Sequence, residues 1–350
     1  MPHRIIVDDT TYIIYDFDLG PSAAFEDLKN TKNRILTDNN NPIIVISNSF
    51  EGEIPSENSP ASGLDLTQLH LLLTNYDSNN IVLINSDANV EENYTNWCKW
   101  NEVSKVFRKC AYTSYVHLSR VVEEAVLQEN RQFKSKHFIC MNAMTKPHRF
   151  AIVDILFAND WHTKGYISYL NRNGPDETLS TQNFQGQKLC LDFDRHGINT
   201  GKNQQVLPPQ YSDACFDIVT ESTVSDTSLF ITEKTWKPIL NKTPFIILGS
   251  KDSHKHLEEY FGIKPYTELF DYSFDNLDYP ERLHRMKADN LDSLLNMDIH
   301  ELNEIVNSDK MQELLEYNKA RMLSHYKPEY MGDTSSKMKT LIDSINQTQA

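Results

Sequence analysis

Thr232, Glu233 and Lys234 stand in one run, Leu229-Phe-Ile-Thr-Glu-Lys234-Thr-Trp-Lys-Pro-Ile-Leu240, and their order carries the plainest chemistry in the chain. A threonine that caps a helix leaves first-turn backbone N–H groups free to meet an anion, and the helix dipole adds partial positive charge there. Lys234 adds a full charge. Glu233 repels a phosphate, so its carboxylate suits another part of a ligand, and the paired hydroxyls of a ribose fit an acid beside a phosphate site. Together the three residues describe a nucleoside diphosphate pocket. The same spacing also fits an ordinary capped helix with a solvated Glu–Lys pair.

The elements that must position this turn are short and apolar. Phe216-Asp-Ile-Val219 and Thr243-Pro-Phe-Ile-Ile-Leu-Gly249 read as buried strands on either side of the helix. Glu221 ends the first of them, within Val219-Thr-Glu-Ser-Thr223, where it either meets a ligand or caps the neighbouring turn. Upstream, Phe138-Ile-Cys-Met141 starts another strand–loop–helix unit, with Asn142-Ala-Met-Thr-Lys-Pro-His-Arg149 as the loop and Phe150 to Ala158 as the helix. Basic residues at a strand-to-helix turn serve a diphosphate, which makes Lys146, His148 and Arg149 candidates beside the bland reading of a solvated arginine.

Earlier in the chain Ile43-Ile-Val-Ile46 and Ile81-Val-Leu-Ile84 are continuous β-prone runs, each followed at once by polar residues, and helical spacing covers Leu64 to Leu73, Tyr94 to Trp100 and Val116 to Gln128. Strands alternating with helices predict an open α/β sheet with ligands beyond the strand C-ends. The basic, polar stretch Arg131 to His137 is the expected boundary. It gives an N-terminal α/β domain over 1–133, a C-terminal nucleotide-binding domain over 134–330 and a terminal helix or tail over 331–350. Glu51 and Glu53 follow the first strand and Asp87 the second, so all three are candidates for a general base, with Glu51 preferred. Two Asp-x-Asp triplets, Asp16-Phe-Asp18 and Asp192-Phe-Asp194, have the alternation that holds a divalent cation, and both also read as loop carboxylates in an acid-rich chain.

Phe230-Ile-Thr-Glu-Lys-Thr-Trp-Lys-Pro-Ile-Leu followed by Pro244-Phe-Ile-Ile-Leu-Gly resembles the donor-binding segment of GT-B glycosyltransferases, particularly the fucosyltransferase-like group and related viral or bacterial enzymes. The resemblance implies two Rossmann-like domains facing a central cleft, with C-terminal helices and a closing helix over Met338 to Ile345. It gives Glu233 to the donor ribose and Lys234 to its diphosphate, brings in the Asn142 loop with Arg149 as a second clamp, and places Glu221 near the sugar or base. Trp236, Lys237 and Pro238 depart from the pattern, since fucosyltransferases commonly carry Asn there, and GDP-fucose does not follow as donor. The implied activity is metal-independent transfer of a sugar from a nucleotide-diphosphate sugar, with no further cofactor, to a hydroxyl of a glycan or, less favoured, of a modified DNA base. Two alternatives stand beside it: a metal-dependent GT-A-like transferase using Asp192 and Asp194, and a non-catalytic nucleotide-sugar-binding module.

Composition bounds the partners. The 350 residues carry 34 Lys+Arg against 49 Asp+Glu, a formal charge of -15, which argues against a broad nucleic-acid or anionic-membrane surface. Five cysteines without CxxC spacing suggest neither a disulfide scaffold nor a zinc site, and no run has the length of a signal core or membrane span, so a cytoplasmic, unanchored protein is expected. Sequons at Asn93, Asn241 and Asn346 are as expected by chance in an Asn-rich chain.

Overall fold

The computed structural model describes residues 3–7, 10–16, 24, 26–30, 42–48, 65–74, 80–113, 115–124, 132–171, 178–189, 209–328, 339–340 and 342–343. By its contacts the chain divides into two units: Met1–Ser119 with Thr227–Ile231 and Lys327–Ala350, and Arg120–Asp226 with Thr232–Tyr326. A five-residue piece of the central connection, Thr227–Ile231, goes with the first unit.

The first unit is built on β1 (His3–Val7), β2 (Thr10–Asp16), β3 (Ile43–Asn48), β4 (Ile81–Asn85) and β5 (Lys109–Tyr112), hydrogen-bonded in that order. β1 is antiparallel to β2, and the other pairs are parallel. Both faces of such strands are covered by helices, which is why β3 and β4 read as unbroken apolar runs rather than alternating ones. Helices α1 (Leu66–Leu73), α2 (Val90–Trp100) and α3 (Tyr115–Glu124) follow β3, β4 and β5. Leu66, Leu69 and Leu73 of α1 and Tyr94 and Trp97 of α2 pack with Ile44, Ile46, Ile81 and Leu83 in one buried cluster. α1 begins at Asp65, whose carboxylate accepts from the Gln68 N–H at 2.9 Å, a side-chain cap that sets its start two residues after Leu64.

The second unit holds β6 (Lys136–Asn142), α4 (Pro147–Ala158), β7 (Gly165–Tyr169), β8 (Ala214–Thr220), α5 (Glu233–Leu240), β9 (Phe245–Leu248) and α6 (Ser253–Phe261). Helices α7 (Glu281–Met286), α8 (Ile299–Val306) and α9 (Asp309–Ser324) follow, with shorter helical turns between the elements. All four strands are parallel, in the order β7-β6-β8-β9. The chain leaves β6 toward β7 and returns on the other side to β8, so the winding direction reverses between β6 and β8. In an open α/β sheet that reversal opens a crevice at the strand C-ends, where ligands bind. Both units are therefore mixed α/β, as the alternation of runs predicts. Among the described residues no helix is long and apolar enough to cross a membrane, and Cys98, Cys110, Cys140 and Cys215 are buried free thiols.

β8 is buried along its whole length and includes one carboxylate, Asp217, which is 4% exposed and accepts from Tyr211 Oη at 2.5 Å. Burial pushes its pKa up to about 7, against the opposing pull of the Tyr211 hydrogen bond and of Lys237. In the unfolded chain the carboxyl ionises near 3.8, so between that pH and about 7 the folded state holds a proton that the unfolded state has lost. Stability contributed by this group is therefore full below that window and falls by about 1.4 kcal/mol per pH unit across it. Asp217→Asn should remove the slope, matching the wild type near pH 4 and melting higher above pH 7 in thermal denaturation across that range; a slope unaltered by the substitution would refute the assignment.

Candidate functional site

The C-terminal end of β8 is where the second unit concentrates its charge. Glu221 is fully buried just past that strand. Its Oε1 accepts from the Thr232 N–H at 3.0 Å and from Thr235 Oγ1 at 2.7 Å, and its Oε2 accepts from Thr232 Oγ1 at 2.5 Å and from the Ser222 N–H at 3.1 Å. All four bonds tie the carboxylate to the start of α5 and to its own turn. Of the two roles open to Glu221 in the sequence, these four bonds are those of the cap. Gly249 permits the close approach of the β9 end: a Cβ there would lie 3.2 Å from Glu221 Cβ.

Held this way, Thr232 sits at the N-cap of α5 in an extended conformation, and its hydroxyl, donating to Glu221, accepts from the Lys234 N–H at 3.4 Å. Lys234 Nζ folds back over the cap, donating to Thr232 Oγ1 at 3.1 Å, Ser222 Oγ at 3.1 Å and Glu233 Oε1 at 2.9 Å. The side chains of Lys234 and Glu233 are 22% and 13% exposed, open enough to meet a ligand and close enough to the cap to be fixed by it.

The loop after β6 delivers three more basic residues to the same two backbone positions. Lys146 Nζ donates to the Ser222 carbonyl at 2.5 Å, and His148 Nε2 and Arg149 Nη2 donate to the Glu221 carbonyl at 2.9 and 3.1 Å. Pro147 is the first residue of α4, where its missing N–H costs nothing, and no side chain caps that helix. Burial, with Arg149 beside it, pulls His148 down to about 3, so it is neutral and carries its proton on Nε2 toward the carbonyl. Arg149 is 2% exposed, its Nη1 donates to the Met144 carbonyl at 3.4 Å, and its Nε has no partner. Burial lowers its pKa from the usual arginine value, with the Glu221 and Glu233 charges opposing, yet it forms no ion pair with any carboxylate among the described residues. Asn142, expected to line the site, is turned inward: its Oδ1 accepts from Thr220 Oγ1 at 2.6 Å and its Nδ2 donates to Cys140 Sγ at 3.4 Å, so it stitches the end of β6 to that of β8.

Lys146, His148, Arg149, Glu233 and Lys234 thus meet at the C-ends of β6 and β8, the point where the winding reverses. Three full positive charges and the N-termini of α4 and α5 face two carboxylates, one of them consumed as a cap. The arrangement suits a polyanion with more than one phosphate, and Glu233 offers a carboxylate at its rim. Ser222 and Thr235 join the site in the structure, and Thr235 lies one helical turn from Thr232 and so on the same face. Among the described residues no three of His, Cys, Asp and Glu are grouped to hold a metal. Glu51, Glu53, Asp18, Asp192 and Asp194, and most of the terminal helix expected over Met338 to Ile345, lie outside the described residues. Asp87 is described, in the first unit, where both its oxygens accept hydrogen bonds from neighbouring residues.

No family model and no curated protein matches the sequence. Among solved structures the chain is similar to an alpha1,3-fucosyltransferase at 15% identity, over 76% of this chain and 73% of that one, with a TM-score of 0.27. It is also similar to T4 phage BGT in complex with UDP and Mn2+ at 11% identity, over 88% of this chain and 96% of that one, with a TM-score of 0.30. At scores of this size no residue's role passes from either protein to this chain, and the chemistry rests on the geometry above.

Glu221→Gln keeps the shape of the side chain but turns an acceptor oxygen into a donor facing Thr232 Oγ1 and the Ser222 N–H. Leaving such buried donors unmatched should lower unfolding stability by about 2–3 kcal/mol, read as a lower midpoint in urea. An unchanged midpoint would show that the carboxylate does not anchor α5.

Proposed function

We propose that the second unit binds a nucleotide-diphosphate sugar at the β6/β8 reversal and that the protein is a glycosyltransferase of the GT-B kind, transferring that sugar to an acceptor hydroxyl. The observation that carries this reading is Arg149. A guanidinium buried to 2% exposure whose acceptors among the described residues are all backbone carbonyls is costly in isolation, and a bound anion at the same place offsets the cost.

Glycosyl transfer breaks the bond between the anomeric carbon and a phosphate oxygen, so negative charge grows on the departing diphosphate while positive charge spreads over the sugar ring. Arg149, Lys146 and Lys234 would stabilise the former as fixed charges, with the first-turn N–H groups of α4 and α5 as oriented dipoles. In this reading the protein itself supplies the cations and the transfer proceeds without a metal. Glu233, the acid beside the phosphates, would accept hydrogen bonds from the ribose hydroxyls. An inverting reaction also needs a base that removes the acceptor's proton, and Glu51, past the end of the first unit's β3, is the proposed one. The acceptor in this reading is a glycan hydroxyl, because the excess of 49 acidic over 34 basic residues disfavours DNA.

Lys234→Ala tests the site with little risk to the fold, because the side chain lies at its rim. With UDP, GDP, CMP and dTDP sugars screened by thermal shift, a ligand at 100 times its Kd should stabilise the wild type by about 2.7 kcal/mol. Lys234→Ala should abolish most of that shift and lower turnover by roughly 10²–10³-fold, and turnover should persist in EDTA. Wild-type affinity and rate in Lys234→Ala would remove the proposal; loss of activity in EDTA would remove its metal-independent form.

A further inference from the structure

Residues Thr227–Ile231 lie in sequence between β8 and α5, yet by their contacts they belong to the first unit. There they are received by the turn between β4 and α2. Asp87, fully buried, accepts from the Leu229 N–H at 2.8 Å and the Asn89 N–H at 2.9 Å through Oδ1, and from Asn93 Nδ2 at 2.8 Å through Oδ2. The Ala88 N–H donates to the Leu229 carbonyl at 2.8 Å, so Leu229 is gripped through both its backbone groups. Asn89 Nδ2 and Asn93 Nδ2 donate to the Thr227 carbonyl at 2.8 and 3.2 Å, and Asn93 Nδ2 also reaches Ser228 Oγ at 3.3 Å. Phe230 packs edge-on to His117, 5.2 Å between ring centroids. Leu229, Phe230 and Ile231 are all buried.

This grip ends one residue before the cap of α5. Leu229 and Thr232 are three residues apart, and three residues reach at most about 11 Å fully extended. A shift of Leu229 therefore has little slack chain to absorb it before Thr232. The other end of the same connection is fixed separately, since the fully buried Arg282 donates through Nη2 to the Val224 and Ser225 carbonyls at 3.1 and 3.4 Å and to Asp226 Oδ1 at 3.0 Å. A carboxylate taken out of water with no cation in ion-pair range among the described residues is an expensive device for holding an ordinary loop. Here it holds the backbone that leads into Glu233 and Lys234.

We infer that Asp87 and Asn93 are positioning residues for the nucleotide site: by fixing residues 227–229 they set where Thr232 places Glu233 and Lys234, so nucleotide affinity in the second unit depends on a carboxylate of the first. This rests on the glycosyltransferase reading of the site, and the experiment separates the two. Asp87→Asn sets an amide against the Asn93 amide, and whichever of them turns over, a bond to residues 227–229 is lost. Calorimetric titration of the full chain with UDP and with GDP should give a Kd roughly tenfold weaker for Asp87→Asn than for the wild type, a usual size for coupling between linked sites. The double variant Asp87→Asn/Lys234→Ala should lose clearly less affinity than the product of the two single losses, because part of the positioning acts through Lys234. A loss confined to general stability would multiply with the Lys234 loss instead. An unchanged Kd in Asp87→Asn, or multiplied losses in the double variant, overturns the inference. If Asp87→Asn does not fold, Asn93→Ser, which gives up the contacts to Thr227 and Ser228, is held to the same two criteria. A wild type that binds no nucleotide at all would sink the reading of the site first, and this inference with it.

Discussion

The carboxylate of Glu221 fixes the start of α5, and what the site can bind follows from that. A helix N-terminus attracts anions, its own acidic side chains included. With Glu221 bound to Thr232, Thr235 and Ser222, its carboxylate is committed to two hydroxyls and two backbone N–H groups, and Lys234 is drawn back over the cap instead of extending into solvent. The Glu221 carbonyl, at the same residue, accepts from His148 and Arg149. One residue therefore ties the basic residues at the start of α4 to the start of α5. Two carboxylates fourteen residues or fewer from Thr235 thus do opposite work: Glu221 is spent in the core, and Glu233 stays partly exposed at the rim.

The balance of charge at the reversal point has the same logic. A cluster in which every cation met a carboxylate would bind nothing, and a cluster of bare buried cations would not fold. Lys234 is paired with Glu233, Arg149 is supported among the described residues by carbonyls alone, and His148 stays neutral because burial and Arg149 suppress its protonation. A neutral imidazole supports the Glu221 carbonyl from one side without adding repulsion against Arg149 and Lys146. The net positive potential is then concentrated on Arg149, the group least screened by solvent.

The strands of this protein were legible because parallel strands buried on both faces must be apolar throughout; Ile43 to Ile46, Ile81 to Ile84 and Phe138 to Met141 announce β3, β4 and β6 for that reason. β5 and β7 were not, since Lys109-Cys-Ala-Tyr112 and Gly165-Tyr-Ile-Ser-Tyr169 mix polar and small residues at the sheet edges, where one side is less covered. The Thr232–Lys234 turn was legible from local chemistry, because a cap and its first-turn charges are neighbours in sequence. The orientation of Asn142 and Glu221 was not: both stand at strand C-ends, and whether such a side chain turns to ligand or to core is settled by Thr220, Thr232 and Thr235, partners that spacing alone does not assign.

The allegiance of residues 227–231 was illegible for a different reason. Leu229-Phe-Ile231 is an apolar run directly before a helix, which in sequence reads as part of the helix approach. Its backbone, however, is held by the β4–α2 turn through Asp87, Asn89 and Asn93, more than a hundred residues away, while Phe230 packs on His117 of α3. Hydrogen bonds from a backbone segment to distant polar side chains leave no periodic trace, because the segment supplies only its N–H and C=O groups. The cost appears instead at the receiving end, as a cluster of Asn and Asp with buried side chains where loops ordinarily expose theirs. Asn93, which opens one of the chance sequons, is 7% exposed and faces Asp87, Thr227 and Ser228. Polar side chains buried at a strand C-end therefore signal either a ligand or a piece of chain that takes a ligand's place, and at the end of β4 it is the chain.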